Sequence, residues 1–119
     1  MNKERRGKIM KTLEITAWGQ THPINFVINH YANNNNLSIN MITTIDGYPE
    51  PFSSLTVNLN EKCEEHCAFI DVNDNGPEII AWLIDNKLGQ LSGKSKPSGF
   101  CIYPEFIFDL DEIKKYIYE

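Results

Sequence analysis

Apolar and polar residues alternate over the first half of the chain, and this period of two predicts β-strands with one buried face. Four segments show the alternation, "TLEITAWG", "PINFVINHY", "LSINMIT" and "SSLTVNLN". The apolar positions on their predicted inward faces are Leu13, Ile15, Ala17, Ile24, Phe26, Ile28, Leu37, Ile39, Met41, Leu55, Val57 and Leu59. A fifth, shorter strand is predicted at "CAFIDV", where aromatic and β-branched residues cluster.

Turn-forming residues separate these segments. The run "ANNNN" lies between the second and third segments, and asparagine tolerates left-handed backbone conformations, so the two segments are predicted to form a hairpin. The stretch "DGYPEP" is predicted to be a turn before the fourth strand. Segments that are neighbours in sequence can therefore pair locally, which predicts an antiparallel meander.

The hydrophobic period changes to that of a helix after Pro77. The apolar positions that fall on one side of this helix are Ile79, Ile80, Leu83, Ile84 and Leu88. Gly89 is predicted to cap its C-terminus, and residues 89–99 are predicted to form a mobile loop.

A last helix is predicted in "DLDEIKKYIY", after a short extended piece at "FCIYP". Asp109 is its candidate N-cap, and Leu110, Ile113 and Ile117 form its apolar side. The predicted fold class is α+β, with an approximately five-stranded, mainly antiparallel meander sheet, one principal helix on one face and a C-terminal helix.

The composition is that of one ordinary globular domain. The chain has 119 residues, of which 41% are hydrophobic, enough to bury one core without metal or disulfide support. No segment approaches the ~20 apolar residues of a membrane span. The odd number of cysteines, three, together with the lack of an export signal, predicts free thiols and a cytoplasmic location.

The basic residues are concentrated at the start of the chain. Five of the eleven lie within the first eleven positions, and from Thr12 to Glu119 there are 15 acidic and 6 basic residues, a formal charge of −9. This balance disfavours a phosphate-binding surface and favours a cationic partner. We interpret residues 1–9 as a translated leader or disordered extension, because "ERRG" can be encoded by a purine-rich ribosome-binding sequence upstream of Met10. A single domain is then predicted over residues 10–119.

Two stretches resemble ion-binding or phosphate-binding loops but have the wrong spacing. "DVNDNGPE" begins like a calcium loop at Asp71, yet the position of the bidentate glutamate falls on Trp82. We interpret it as an Asx turn after the fifth strand, with Asn75 or Gly76 capping the helix that follows Pro77. In "GQLSGKS" the two glycines are separated by three residues, where a phosphate loop has four, and the predicted helix comes first.

Cysteine and histidine side chains form one short cluster of residue types that ligate zinc. Cys63, His66 and Cys67 lie together in "CEEHC", but no second pair accompanies them in the sequence, so no metal site is predicted. No nucleophile has an evident base, and Cys101 is predicted to be a small core residue. The sequence therefore favours a noncatalytic protein without a cofactor.

Five motifs spread over residues 10–108 resemble a family of bacterial and phage-borne proteins, the domain of unknown function family 4313. They are "MKTLEITAWG", "YANNNNLSI", "LTVNL", "AFIDVNDN" and "SGFCIYPEF". The segment "EKCEEHC" and the tail "DLDEIKKYIYE" depart from the family pattern, whereas Cys101 fits it. The occurrence of the family on phages and mobile elements implies an accessory role, of which a counter-defence inhibitor is one form.

We therefore expect a noncatalytic binding module whose acidic surface engages a protein partner with a basic surface, without direct contact to nucleic acid or membrane. The acidic residues expected to form that surface are Glu61, Glu64, Glu65, Asp71, Asp74 and Glu78. Two alternatives stay open. One is an enzyme or small-ligand protein with a pocket near Trp82, Cys101 and Tyr103, and the other is a zinc-dependent interaction module built on the "CEEHC" segment.

Overall fold

The structure is a computed structural model that describes residues 10–119, so the leader predicted at residues 1–9 lies outside the described residues. Within the described part the chain forms eight strands and three short helices. In chain order they are β1 (Leu13–Ala17), β2 (Gln20–His30), β3 (Leu37–Ile45), β4 (Tyr48–Ser54), β5 (Thr56–Val57), β6 (Cys67–Ile70), α1 (Val72–Asn75), α2 (Ile79–Asp85), β7 (Gly89–Ser98), β8 (Cys101–Phe108) and α3 (Leu110–Lys114). None of the helices in residues 10–119 is long and apolar enough to cross a membrane.

The strands form two antiparallel sheets of four strands each, in the orders β1-β2-β3-β4 and β5-β6-β8-β7. The α+β class and the mainly antiparallel pairing are confirmed. Strands β1, β2 and β3 follow the predicted meander, whereas the predicted fourth and fifth strands contribute β5 and β6 to the second sheet. The prediction of a single five-stranded sheet with one principal helix is wrong, because two further segments are strands and the helices are all short.

One of these additional strands is β4, which occupies most of the predicted turn "DGYPEP". Only Asp46 and Gly47 form the turn, and the chain then pairs with β3 from Tyr48 onward. Pro49 and Pro51 are accommodated because β4 is an edge strand, where a missing N–H does not break the ladder.

The other additional strand is β7, which replaces the predicted loop at residues 89–99 and forms a long hairpin with β8. Its residues are polar because it is an edge strand with little buried area, so its composition resembles that of a loop. Gly89 starts this strand and does not cap α2, whose C-cap is Asn86. A Cβ at Gly89 would overlap the carbonyl oxygen of Ile107 on β8, so the close strand approach requires glycine there.

The main core lies between the two sheets and is closed by α2 and α3. Its fully buried side chains include Ile24, Phe26, Ile39, Met41, Leu55, Ile70, Leu83, Leu88, Phe106 and Ile113. Asp109 caps α3 as predicted, since its carboxylate accepts a hydrogen bond of 3.1 Å from the backbone N–H of Glu112. Ile84 was predicted to face the core but is 45% exposed, because α2 is too short to bury a broad face.

A second, smaller cluster covers the opposite face of the second sheet. Its members are Leu59, Cys63, Cys67 and Phe69, with Val57, Tyr103 and Ile107 packed beside them. Successive residues of β6 alternate between the two clusters, as the pleat of a strand requires. The prediction that Leu55, Val57 and Leu59 share one inward face is therefore wrong, because Leu55 belongs to the main core and the other two to this cluster.

The "ANNNN" run forms the predicted turn between β2 and β3, and its side chains also attach the loop at residues 58–66. The Asn36 amide nitrogen donates to the Glu61 carbonyl (2.7 Å), and its oxygen accepts from the Cys63 N–H (3.0 Å). Asn34 donates to the Asn58 side chain at 2.9 Å. These bonds hold the loop against the outer face of the second sheet.

Strand β2 changes partners along its length. It pairs with β1 over residues 20–24 and with β3 over residues 25–30. Beyond Ile24, which pairs with Leu13 at the start of β1, the C-terminal segment takes the place of β1 on this edge of β2. There the Phe26 N–H donates to the Tyr116 carbonyl (3.0 Å). Asn25 lies at the change, is 2% exposed, and donates from its amide nitrogen to the carbonyls of Lys11 (2.9 Å) and Tyr116 (3.0 Å).

Replacing Asn25 by alanine should therefore destabilise the protein. Two buried or half-buried carbonyls lose a donor, and we expect a loss of about 2 kcal/mol in the free energy of unfolding. The matched control is Asn29→Ala on the same strand, where the side chain is exposed, with an expected change below about 0.5 kcal/mol. Urea unfolding measures both values, and equal losses in the two variants would contradict the assigned role of Asn25.

Candidate functional site

The acidic residues predicted to form a binding surface lie on both sides of strand β6. Glu61, Glu64 and Glu65 belong to the loop at residues 58–66, which precedes the strand, and all three are exposed. The other three follow the strand, at the start of α1 and before α2: Asp71, Asp74 and Glu78. With a rise of ~3.3 Å per residue, the ends of the four-residue strand are ~10 Å apart. We call these six residues the β6 carboxylates.

The stretch that resembles a calcium loop is built by local hydrogen bonds. The Asp71 carboxylate caps α1 by accepting from the Asp74 N–H at 3.0 Å. The bond reaches three residues on, so it is a helix cap where an Asx turn, which bonds two residues on, was predicted. The Asn75 side chain donates to the Ser54 carbonyl at 2.9 Å and accepts from the Ser53 hydroxyl at 2.8 Å. It therefore links α1 to β4. The prediction that Asn75 or Gly76 caps α2 is wrong, because Glu78 occupies that position.

The β6 carboxylates differ in how they are neutralised. Glu61 forms an ion pair of 2.8 Å with Lys96 of β7, and the hydrogen bond and charge of Lys96 lower the pKa of the Glu61 carboxyl. Glu65 lies 3.8 Å from the His66 imidazole. Within residues 10–119 no ion pair involves Glu64, Asp74 or Glu78. These three carboxylates, together with Asp71, which caps α1 and likewise forms no ion pair within residues 10–119, keep an unbalanced negative charge.

The two cysteines of "CEEHC" are buried beneath the loop at residues 58–66, near the carboxylate of Glu105. Glu105 is only 5% exposed and accepts a hydrogen bond of 2.7 Å from the Ser92 hydroxyl. Burial raises the pKa of the Cys63 thiol to about 11, and the negative charge of Glu105 adds to the effect. Burial also raises the pKa of Cys67. Both thiols are therefore protonated at neutral pH, which disfavours thiolate chemistry.

His66 does not join the two cysteines. Its backbone has a positive φ of 71°, and its imidazole is half-exposed beside Glu65. In the part of the chain that the structure describes, no three side chains of histidine, cysteine, aspartate or glutamate are placed to hold a metal ion.

The three residues of the alternative pocket are only partly brought together. Trp82 packs on the main core, 6.3 Å from the Phe26 ring, and its indole N–H donates to the Glu14 carbonyl at 2.8 Å. Tyr103 packs on the second cluster, on the other face of the sheet. Partial burial and the adjacent Cys101 thiol raise the pKa of the Tyr103 hydroxyl. Cys101 and Tyr103 are therefore neighbours, whereas Trp82 connects α2 to β1.

The depressions on the described surface include the following two. One, of about 320 Å³, lies on the first sheet and is lined in part by Val27, Ile42 and Pro51. The other, of about 360 Å³, lies beside Gly89 and Phe108. Both are open and shallow, and neither is lined by Trp82, Cys101 or Tyr103.

The hydrophobic pattern did not indicate several exposed aromatic residues, because they lie in or beside turns. Trp18 is 83% exposed at the turn between β1 and β2, and Tyr48 is 71% exposed just after the turn between β3 and β4. Phe100 is fully exposed at the turn between β7 and β8. A signal was available in the sequence for Trp18, since a bulky residue directly before glycine is unusual in a two-residue hairpin turn.

Comparison with family models gives one match. Residues 25–119 match the model of a domain of unknown function, DUF4313. This range contains β3 to β8, all three helices and most of β2, and it covers the β6 carboxylates. The comparisons with curated proteins and with solved structures found no match.

The buried state of Cys63 and Cys67 predicts a simple pattern of thiol reactivity. In the native protein at pH 8, iodoacetamide should modify Cys101 much faster than either buried thiol, since Cys101 is half-exposed. All three should react after unfolding in urea. Because folding raises the pKa of Cys63, the thiol form stabilises the fold below pH 9, and this contribution is lost as the pH rises towards 11.

Mass spectrometry of peptides after timed alkylation measures the three rates. The control is Cys101→Ser, which should lose the fast phase and keep the slow one. Rapid modification of Cys63 at pH 8 would contradict the buried, protonated state.

Proposed function

The chain belongs to the DUF4313 family, a domain of unknown function, and we propose that it acts as a noncatalytic protein-binding module. In this proposal the β6 carboxylates engage a basic surface on a partner protein. The biological setting that we propose is the cytoplasm of a bacterial host, with the protein acting as an accessory factor of a phage or mobile element. A counter-defence inhibitor that covers a basic, nucleic-acid-binding cleft of its target fits this setting.

The observation that carries the proposal is the set of exposed carboxylates without an ion pair. Glu64, Asp74 and Glu78 are exposed, and none of them forms an ion pair within residues 10–119. Exposed ion pairs add little to the stability of a folded domain, so the fold does not require these charges to be paired. Unpaired charges attract a partner of opposite sign and accelerate the encounter.

The charge of the whole body supports the same conclusion. From Thr12 to Glu119 the formal charge is −9, so a cationic protein is attracted and a nucleic acid is repelled. Such binding weakens as salt is added, because exposed charges are screened over ~8 Å at physiological ionic strength.

Charge reversal tests the proposal. The full chain is immobilised, incubated with lysate of the natural host, and washed at low or high salt before the retained proteins are identified by mass spectrometry. We expect a stoichiometric partner that high salt releases. Glu64→Lys combined with Glu65→Lys should lower the affinity for that partner at least about tenfold, since two attractive contacts become repulsive.

The matched control is Asp85→Lys combined with Asp111→Lys, which changes the net charge equally at exposed positions on α2 and α3. The control should keep most of the affinity. Binding that is insensitive to salt, or full affinity after reversal at Glu64 and Glu65, would refute the proposal. Loss of binding after alkylation of Cys101 would instead favour a site around Cys101 and Tyr103.

A further inference from the structure

The first sheet has two tight hairpin turns with the same backbone conformation and different residues. In the turn between β1 and β2, Trp18 and Gly19 have φ values of 53° and 74°. In the turn between β3 and β4, Asp46 and Gly47 have φ values of 53° and 85°. Positive φ at both central residues is the requirement of a type I′ turn, which favours asparagine, aspartate or glycine at the first position. Asp46 meets this preference, and Trp18 does not.

Trp18 is therefore costly for folding where it stands. A bulky residue with positive φ is strained, because its Cβ crowds the neighbouring carbonyl. The hydrophobic gain from burial does not offset this strain, because the Trp18 side chain is 83% exposed. Strained backbone conformations cluster at functional sites, so the conformation of Trp18 motivates a functional hypothesis.

The indole is nevertheless held in place by its neighbours. The Trp18 ring centroid lies 6.0 Å from that of His22 on β2 and 5.8 Å from that of Phe52 on β4. The His22 and Phe52 rings are 5.2 Å apart. Three aromatic rings from the two hairpins thus form one cluster whose outer member is Trp18.

The end of the first sheet that carries these two turns has no continuous ladder of backbone hydrogen bonds. Pairing between β2 and β3 is confined to residues 25–30 of β2, so near the two turns the hairpins meet through side chains. Two buried polar atoms in this region, Nε2 of His22 and Oγ1 of Thr43, have no hydrogen-bond partner. Buried polar atoms without partners are uncommon in folded proteins.

Further apolar and acidic side chains extend this surface. Ile45 lies on the same face of β3 as the buried Met41, yet Ile45 is 54% exposed. Tyr48 and Glu50 of β4 lie directly opposite Ile45 and Thr43, so they share that face. We define the turn-end patch by its side chains, which are Trp18, His22, Ile45, Tyr48, Glu50 and Phe52.

Charge indicates what the turn-end patch binds. Residues 12–61, which include the entire first sheet, contain no lysine or arginine. Asp46 lies in the turn just before Tyr48, and Glu50 lies two residues beyond Tyr48 on the same strand. An exposed indole beside acidic residues, on a sheet without lysine or arginine of its own, suits a guanidinium group. Arginine stacks on aromatic faces and also pairs with carboxylates, and lysine does the first less often.

We propose that the turn-end patch is the docking site for an arginine-bearing segment of the partner protein, with Trp18 as the main contact. This inference rests on the proposed function in one respect, that the partner is basic. In this inference Trp18 makes the strongest contact with the partner, and the β6 carboxylates attract the basic partner over a longer range. Tryptophan is among the residue types that most often dominate a protein interface.

The test uses a variant that removes the ring and relieves the backbone. Trp18→Asn gives the turn the sequence Asn-Gly, which the type I′ conformation prefers, so the melting temperature should equal or exceed that of the wild type. The probe is a fluorescently labelled synthetic peptide of alternating arginine and glycine, titrated with the full chain at low salt. We expect Trp18→Asn to weaken binding at least about tenfold.

Three comparisons make the result specific. Asp46→Asn combined with Glu50→Gln preserves shape, removes two charges and should also weaken binding. The matched control Phe100→Asn removes an equally exposed aromatic residue from the turn between β7 and β8 and should leave the affinity unchanged. A peptide with lysine in place of arginine should bind more weakly, and one with glutamate should not bind.

The outcomes separate this inference from the proposed function. If Trp18→Asn keeps full affinity while the reversal at Glu64 and Glu65 abolishes it, the inference is overturned and the proposed function stands. If no arginine peptide binds the wild type, the inference is overturned, and the capture from host lysate still tests the proposed function. If sedimentation shows a dimer that Trp18→Asn dissociates, the patch binds a second copy of the chain and the inference is overturned.

Discussion

The Asn25 side chain is the contact on which the rest of the first sheet depends. It lies where β2 exchanges β1 for the C-terminal segment, and its amide group binds the carbonyls of Lys11 and Tyr116. Strand partners usually change at an exposed bulge or edge, where water can satisfy the freed groups. Here the change is buried, so a side chain must supply the donors. Because β2 pairs with β3 only beyond this point, the two hairpins are joined near their turns by side chains such as His22 and Phe52.

Much of the first sheet follows from local sequence patterns, and the second sheet does not. The strands β1, β2 and β3 alternate in hydrophobicity, and the asparagine run between β2 and β3 is a turn for the expected reason. In contrast, β4 and β7 are edge strands rich in proline, glycine and polar residues, which are also the residues of loops. Local composition cannot distinguish an edge strand from a loop, because the distinction depends on a partner strand elsewhere.

In the candidate site, too, some features follow from residue type alone and others depend on residues that are distant in the sequence. Residue type alone predicts that carboxylates such as Glu64 and Asp74 are exposed, as they are. The pairing of Glu61 with Lys96 joins residues that are 35 positions apart, and no pattern in the sequence indicates it. Likewise, the burial of Cys63 depends on the loop that Asn36 attaches. Trp18 was missed because alternation describes strands, whereas its conformation is set by a turn.

The loop at residues 58–66 is attached mainly through the amides of Asn34, Asn36 and Asn58. Amide groups neither gain nor lose protons, and their hydrogen bonds do not depend on ionic strength as ion pairs do. These amide contacts are therefore independent of the charges that the loop displays, whereas the ion pair between Glu61 and Lys96 is a contact that responds to both pH and salt. Added salt can weaken the field outside the molecule and this ion pair together, while the amide hydrogen bonds continue to hold the loop in place.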